Sequence, residues 1–108
     1  MSDELRTLYG VVLDRKANPR EGSYTCYLLD KGLDKILKKV GEECSETIIA
    51  AKNGVKEDMV GEIADLIYHL TVMMACQGIS MEEVLEELRL RSEKIGNLKQ
   101  MHVSDHST

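Results

Sequence analysis

The sequence predicts an all-α protein, an antiparallel helical bundle of four to five helices completed by dimerisation, and three observations lead there. The 108-residue chain has no Phe and no Trp, four Tyr and one Pro, and 31% of it is Asp, Glu, Lys or Arg. An aliphatic, charge-rich composition of this kind suits helices better than a sheet. Apolar residues recur at helical spacing through long segments, and those segments are joined by short turns, as antiparallel neighbours require. The length fits one domain with a modest core of Leu, Ile, Val, Met and Ala.

Each element follows from local signals. Ser2 and Asp3 are N-cap candidates for a first helix over 4–17, with Leu5, Leu8, Tyr9 and Val12 on one face. "NPREGS" ends it, because the residue before Pro19 is pushed out of the helical region. Ser23 caps a short helix over 24–31, and Gly32 marks a bend. A long helix over 33–53 carries the stripe Leu33, Ile36, Leu37, Val40, Cys44, Ile48 and Ala51, and Asn53-Gly54 stops it in C-cap style. The next, over 56–77, carries Met59, Val60, Ile63, Ile67, Leu70 and Met74 and ends at Gly78. Ser80 with Glu83 three residues on is a capping box for a last helix through Val84, Leu85 and Leu88 to about Ile95. The domain is expected to span 1–96, with 97–108 a flexible polar tail in which His102 and His106 carry no further ligands.

The net charge of −5 argues against a surface that holds nucleic acid by bulk electrostatics. Basic residues gather at Arg15, Lys16 and Arg20, and again at Lys31, Lys35, Lys38 and Lys39; a solvated helix face explains such groups equally well. Cys26, Cys44 and Cys76 form no CxxC pair and no zinc spacing, so reduced and mostly buried thiols are expected. The N-terminus lacks the apolar segment of a secretion signal, and no apolar run approaches the ~20 residues of a membrane span. A soluble cytoplasmic protein is the expectation.

The acids of "VGEECSE" and "GEIADLIYH" stand among aliphatic residues. At about 100° per residue, Lys39, Glu43, Glu46 and Ala50 form one line beside the stripe of their helix, with Glu42 nearer solvent. Glu62, Asp65 and His69 line one flank of the following helix. Either these are wet acidic faces, or two antiparallel helices bring Glu43 and Glu46 against Glu62 and Asp65, where mutual repulsion calls for a cation. All-carboxylate donors suit Mg2+ or Mn2+ rather than zinc. The Glu-x-x-His pairs of di-iron bundles are missing.

An "EExxE" helix followed by an "ExxD" helix resembles the MazG-like all-α nucleoside-triphosphate pyrophosphatases. Within that superfamily, "SYTCYLLDKGLDKILKKVGEECSETIIAAKNG" and "EIADLIYHLTVMM" are similar to the phosphoribosyl-ATP pyrophosphatases of histidine biosynthesis, over about 5–91. The chain departs at Gly61, where the family often has a larger residue. The resemblance implies Mg2+-dependent hydrolysis of the α–β phosphoanhydride of phosphoribosyl-ATP to phosphoribosyl-AMP and pyrophosphate. It implies Glu43, Glu46, Glu62 and Asp65 as metal ligands and Glu42 as the group that orients or deprotonates water. Lys38, Lys39, Lys52, Arg15 and Arg20 are candidates for substrate phosphates. His69 would donate to a carboxylate from behind the ligands, and Tyr24 either packs or meets the nucleotide. The alternative substrate class is a non-standard nucleotide or dUTP on the same metal site; a non-catalytic helical binding module is the rival of another kind. Apolar coverage at 48–51 and 72–76 exceeds one face, so a homodimer or higher homo-oligomer is expected, the family doing likewise.

Overall fold

The computed structural model describes residues 2–94. Among them are five helices, α1 (Ser2–Ala17), α2 (Tyr24–Lys31), α3 (Leu33–Asn53), α4 (Lys56–Gln77) and α5 (Met81–Ser92), and no strand. The all-α expectation holds. Ile95, the boundary at 96, the tail 97–108 and its two histidines lie outside the described residues.

Local chemistry sets the helix ends. α1 has Asp3 and Glu4 in its first turn and Arg15 and Lys16 in its last, the arrangement its dipole favours. It takes in Ser2 and Asp3 as helical residues and ends at Ala17. Ser23 Oγ accepts the Cys26 amide at 3.1 Å and opens α2. Gly32 joins α2 to α3 at φ 96°, a conformation that a Cβ disfavours. Gly54 closes α3 in the left-handed region, its amide donating to Ala50 O at 3.1 Å. Only Val55 then separates the glycine from α4, so the two longest helices fold back on each other as a hairpin. The capping box forms, with Glu83 N to Ser80 Oγ at 3.1 Å and Ser80 N to Glu83 Oε1 at 2.8 Å.

The core lies at one end of that hairpin. Val12, Leu28, Ile36, Val72 and Ala75, from α1, α2, α3 and α4, are almost fully buried together. Leu8, Tyr9, Leu29, Tyr68, Met73 and Cys76 pack around them. Polar ties hold the periphery: Lys16 Nζ donates to Ala75 O at 3.1 Å and Tyr9 Oη to Ile79 O at 2.7 Å. Arg6 grips Glu82 through two hydrogen bonds of 2.6 and 3.0 Å, fastening α5 to α1.

The far part of the hairpin projects from this core. The radius of gyration, 15.9 Å, exceeds the roughly 13 Å of a compact chain this long. Here the structure corrects the expected apolar faces. On α3 the inward line is Ile36, Glu43 and Ala50, while Leu37, Cys44, Ile48 and Ala51 are exposed, Ile48 to 65%. On α4 only Met74 of the expected stripe is buried, and Val60, Ile63 and Ile67 are exposed. Among the described residues no further helix lies on that side of the hairpin. The three thiols are free, as expected, but less buried than expected: Cys44 is exposed, and Cys26 and Cys76 are half-buried.

α4 is long and apolar enough, by length and composition, to cross a membrane, with a mean hydropathy of 1.3 over its best window. The expectation that no segment reaches that length is corrected on this count. Its C-terminal half is the wall of the core, with Thr71, Val72 and Ala75 at or below 1% exposure, and its N-terminal half carries Glu62 and Asp65. The core therefore accounts for the apolar residues of its C-terminal half, while Val60, Ile63 and Ile67 of its N-terminal half are exposed.

Leu28→Ala should lower unfolding stability by about 2–5 kcal/mol, since Leu28 is wholly buried where four helices meet. Urea unfolding followed by circular dichroism checks this; a midpoint like that of the unmodified protein would mean that the core lies elsewhere.

Candidate active site

Antiparallel register brings the acids together. Thr47 lies one turn after Glu43, and its hydroxyl meets two carbonyl oxygens, Glu43 O at 2.7 Å within α3 and Glu62 O at 3.3 Å on α4. A side chain that bonds back to its own helix thus also meets the neighbouring one, and this sets Glu62 opposite Glu43. Glu62, Asp65 and His69 follow at three and four residues, on one flank of α4.

Glu43, Glu62 and Asp65 each present a carboxylate oxygen, all within 4.8 Å of one another. Glu43 is only 6% exposed, Glu62 is half-buried and Asp65 is open to solvent. Oε1 of Glu43 and Oε1 of Glu62 are buried without a hydrogen-bond partner. Burial raises the Glu43 pKa above the ordinary carboxylate value; Glu46 and Asp65 push it further, against the pull of His69 and Lys39. The Glu62 pKa is raised by burial first, then by hydrogen bonding to Glu46 and the charges of Glu46, Glu43 and Asp65. Glu46 therefore stands beside Glu62, at the edge of the close triad. Buried carboxylate oxygens left without donors are a destabilising arrangement. A divalent cation would satisfy the orphaned oxygens and the crowded charge together, and an all-oxygen donor set fits Mg2+ or Mn2+.

The remaining candidates divide by location. Lys39 Nζ lies 3.3 Å from Glu42 Oε1; its pKa is raised by that hydrogen bond first, then by Tyr24, with Glu42 and Glu43 adding. Lys39 is thus at the cluster, and Glu42 is engaged with it rather than free. Lys38 and Lys52 are exposed, and among the described residues no ion pair or hydrogen bond joins either to the acids. Lys52 is nine residues past Glu43, about 14 Å along the helix. Arg15 and Arg20 stand apart, on the wall of a cavity of about 930 Å3 enclosed by the end of α1, the 18–23 loop, α2 and Cys76 of α4.

His69 is 4% exposed and fully engaged. Its Nδ1 lies 2.7 Å from Asp65 O, and its Nε2 lies 3.0 Å from Tyr24 Oη. A carbonyl only accepts, so Nδ1 carries the proton, and in the neutral ring Nε2 accepts from the tyrosine. The expected donation to a carboxylate is replaced by donation to the backbone of a carboxylate-bearing residue. Tyr24 stacks with Tyr27 and with Tyr68, centroids 6.1 Å apart in each pair, and meets the His69 ring edge-on at 5.7 Å. Tyr68, whose pKa burial raises, hydrogen-bonds Thr25. Thr47, Tyr27 and Tyr68 escaped the sequence reading. The tyrosines had a signal: three of only four fall in "SYTCY" and "IYH", next to residues already singled out. Thr47 had none, because its second acceptor is on another helix.

The model of the family described as phosphoribosyl-ATP pyrophosphohydrolase matches residues 5–92. The chain is 52% identical over 97 residues to a phosphoribosyl-ATP pyrophosphatase of Clostridium novyi, covering 90% of this chain and 88% of that one. It is 56% identical over 96 residues to a protein of the same name from Clostridium acetobutylicum, covering 89% and 87%. It is also 54% identical over 101 residues to the histidine biosynthesis bifunctional protein HisIE of Lactococcus lactis, covering 94% of this chain and 48% of that longer protein.

A pH test follows from Glu43. A carboxyl whose pKa is raised on folding adds stability while protonated and loses it as pH rises through the folded pKa. In EDTA, Glu43→Gln should melt above the unmodified protein at pH 8, with the gap closing as pH falls towards the ordinary carboxylate value. Added Mg2+ should raise the melting temperature of the unmodified protein more than that of the variant. Calorimetry across pH decides; a variant less stable in EDTA at every pH would contradict the strained triad.

Proposed function

The chain belongs to the phosphoribosyl-ATP pyrophosphohydrolase family and carries out that step of histidine biosynthesis; we propose that it does so at the carboxylates between α3 and α4, with Mg2+ as cofactor and Mn2+ able to replace it. The observation that carries this assignment is the pair of buried, unpartnered oxygens on Glu43 and Glu62, with Asp65 completing a triad within 4.8 Å. Glu43, Glu62 and Asp65 would hold the ion, with Glu46 joining them from beside Glu62. When bound, the ion supplies positive charge against the bridging and departing phosphate oxygens.

The chain's own residues do the rest. Lys39 leaves Glu42 for a substrate phosphate, an exchange that costs little because the pair is partly exposed. Glu42 is thereby freed to take a proton from the attacking water on its Oε1. His69 holds Tyr24 through Nε2 and the Asp65 backbone through Nδ1, so the nucleotide side and the carboxylate side keep one relative position. The free thiols suit the cytoplasm, the place we assign to this reaction.

Two copies of the chain complete the fold. Leu37 and Ile48 of α3, with Val60, Ile63 and Ile67 of α4, form an open apolar side of the hairpin. A two-fold partner laying its own hairpin there makes a four-helix arrangement and buries both faces. No nucleic acid or membrane enters this reading.

Pyrophosphate release from phosphoribosyl-ATP, assayed in Mg2+, Mn2+ and EDTA, tests the cofactor; equal release in EDTA would overturn it. Glu46→Gln and Asp65→Asn should each lower turnover about a hundredfold or more with an unchanged helical spectrum. Turnover like that of the unmodified enzyme in either, at saturating Mg2+, would mean that the site is elsewhere. Lys39→Ala should raise KM and leave Mg2+ affinity in place. An unchanged KM with weakened Mg2+ binding, read by titration calorimetry, would contradict its phosphate role. The melting temperature should rise with protein concentration. A fully active species near 12.1 kDa in light scattering would exclude the dimer.

A further inference from the structure

The carboxylate triad accounts for one end of the substrate and leaves the 930 Å3 cavity without a role. That volume is in the range of small-molecule sites, roughly 300–1,000 Å3. The cavity and the triad share a wall. Tyr24 lines the cavity, while its hydroxyl is bonded to His69, whose ring is bonded to the Asp65 backbone.

Tyr24, tied towards the triad through His69, is stacked with Tyr27 within 22° of parallel, and each is 44% exposed. Tyr24 is immobilised by His69 and by its stacking on Tyr68, so its open surface is a fixed aromatic platform. Arg15 and Arg20 line the same cavity. Among the described residues Arg15 pairs only with its exposed neighbour Asp14, at 2.9 Å, and Arg20 has no carboxylate at ion-pair distance. The Cys26 thiol ties their backbones to this corner, accepting from Arg20 N at 3.3 Å and donating to Arg15 O at 3.5 Å. Its pKa is lowered by hydrogen bonds from Ser23 and Arg20 first, with the charges of Arg15 and Arg20 adding, so this corner favours an anion. Asp30, on the same wall, offers acceptor oxygens of the kind sugar hydroxyls need.

We infer that this cavity receives the phosphoribosyl arm of the substrate, with the base against Tyr24 and Tyr27 and the arm's 5-phosphate on Arg15 and Arg20. The inference rests on the family's substrate, which differs from ATP by a second ribose phosphate attached to the base. A triphosphate cleaved at the triad projects its base and that arm away from the metal ligands. An aromatic platform and two guanidiniums in one cavity suit the base and the phosphate that this arm carries. The cavity would therefore decide that phosphoribosyl-ATP, and not ATP, is bound productively.

Titration calorimetry with the products, in Mg2+ so that nothing is turned over, tests this. The unmodified protein should bind phosphoribosyl-AMP at least about tenfold more tightly than AMP, the scale of one charge-assisted contact to phosphate. Arg20→Ala and Arg15→Ala should each reduce that preference, with AMP affinity moving less than about twofold, and Arg20→Lys should restore part of it. Tyr27→Ala should weaken both ligands together, since both carry the base. The same preference in both arginine variants as in the unmodified protein, or no preference in the unmodified protein, would overturn the assignment. Failure of the unmodified enzyme to cleave phosphoribosyl-ATP would instead refute the function on which the inference rests. Cleavage with the preference untouched by either arginine would refute the cavity assignment alone.

Discussion

Three carboxylates crowded between two helices set the terms for everything around them. Glu43, Glu62 and Asp65 approach within 4.8 Å, and two of their oxygens are buried without a donor. Left to themselves they would drive α3 and α4 apart or stay protonated. Two features oppose that. Below the acids, Val12, Leu28, Ile36, Val72 and Ala75 clamp the base of the hairpin in a dry core. One turn beyond Glu43, the Thr47 hydroxyl reaches the Glu62 carbonyl, holding the register at the level of the charges. On the proposed function, a bound cation would turn that repulsion into affinity, so the instability of the carboxylates and the proposed metal binding would be two sides of one arrangement.

The aromatic group next to the acids is their structural continuation. His69 is the hinge of it, because each ring nitrogen has one partner and the two partners belong to different parts of the site. On one side is the backbone of Asp65, on the other the hydroxyl of an exposed tyrosine. A displacement of Tyr24 would thus be felt at Asp65, and the reverse, through bonds of 3.0 and 2.7 Å. With only four tyrosines and no Phe or Trp in the sequence, placing three of the tyrosines here concentrates most of the large aromatic surface beside the carboxylates.

The hairpin also carries the least finished surface of the chain. The faces of α3 and α4 turned away from the core hold large aliphatic residues in solvent. The same two helices that supply the carboxylates therefore supply this apolar side, and a partner pressed on it would restrain the spacing of the acids. On the proposed dimer, assembly would bear on the carboxylates through helix packing.

Much of this was legible in the sequence because it depends on neighbours along the chain. Ser23, Gly54, Gly78 and the Ser80–Glu83 box mark helix ends through bonds spanning a few residues, and α2, α3 and α4 run as those signals predict. The acids were legible too, since helical periodicity alone places Glu43 and Glu46 on one line and Glu62, Asp65 and His69 on another. Periodicity shows that a helix has faces, but not which neighbour covers each one. The stripe through Leu37, Cys44 and Ile48 therefore reads as core but lies open, while Glu43 and Ala50 face inward. Tertiary structure alone decided that the Thr47 hydroxyl meets the Glu62 carbonyl and that Tyr24 bonds His69. It also set Arg15 and Arg20 in a separate cavity, because those contacts join segments whose separation in sequence says nothing of their distance in space.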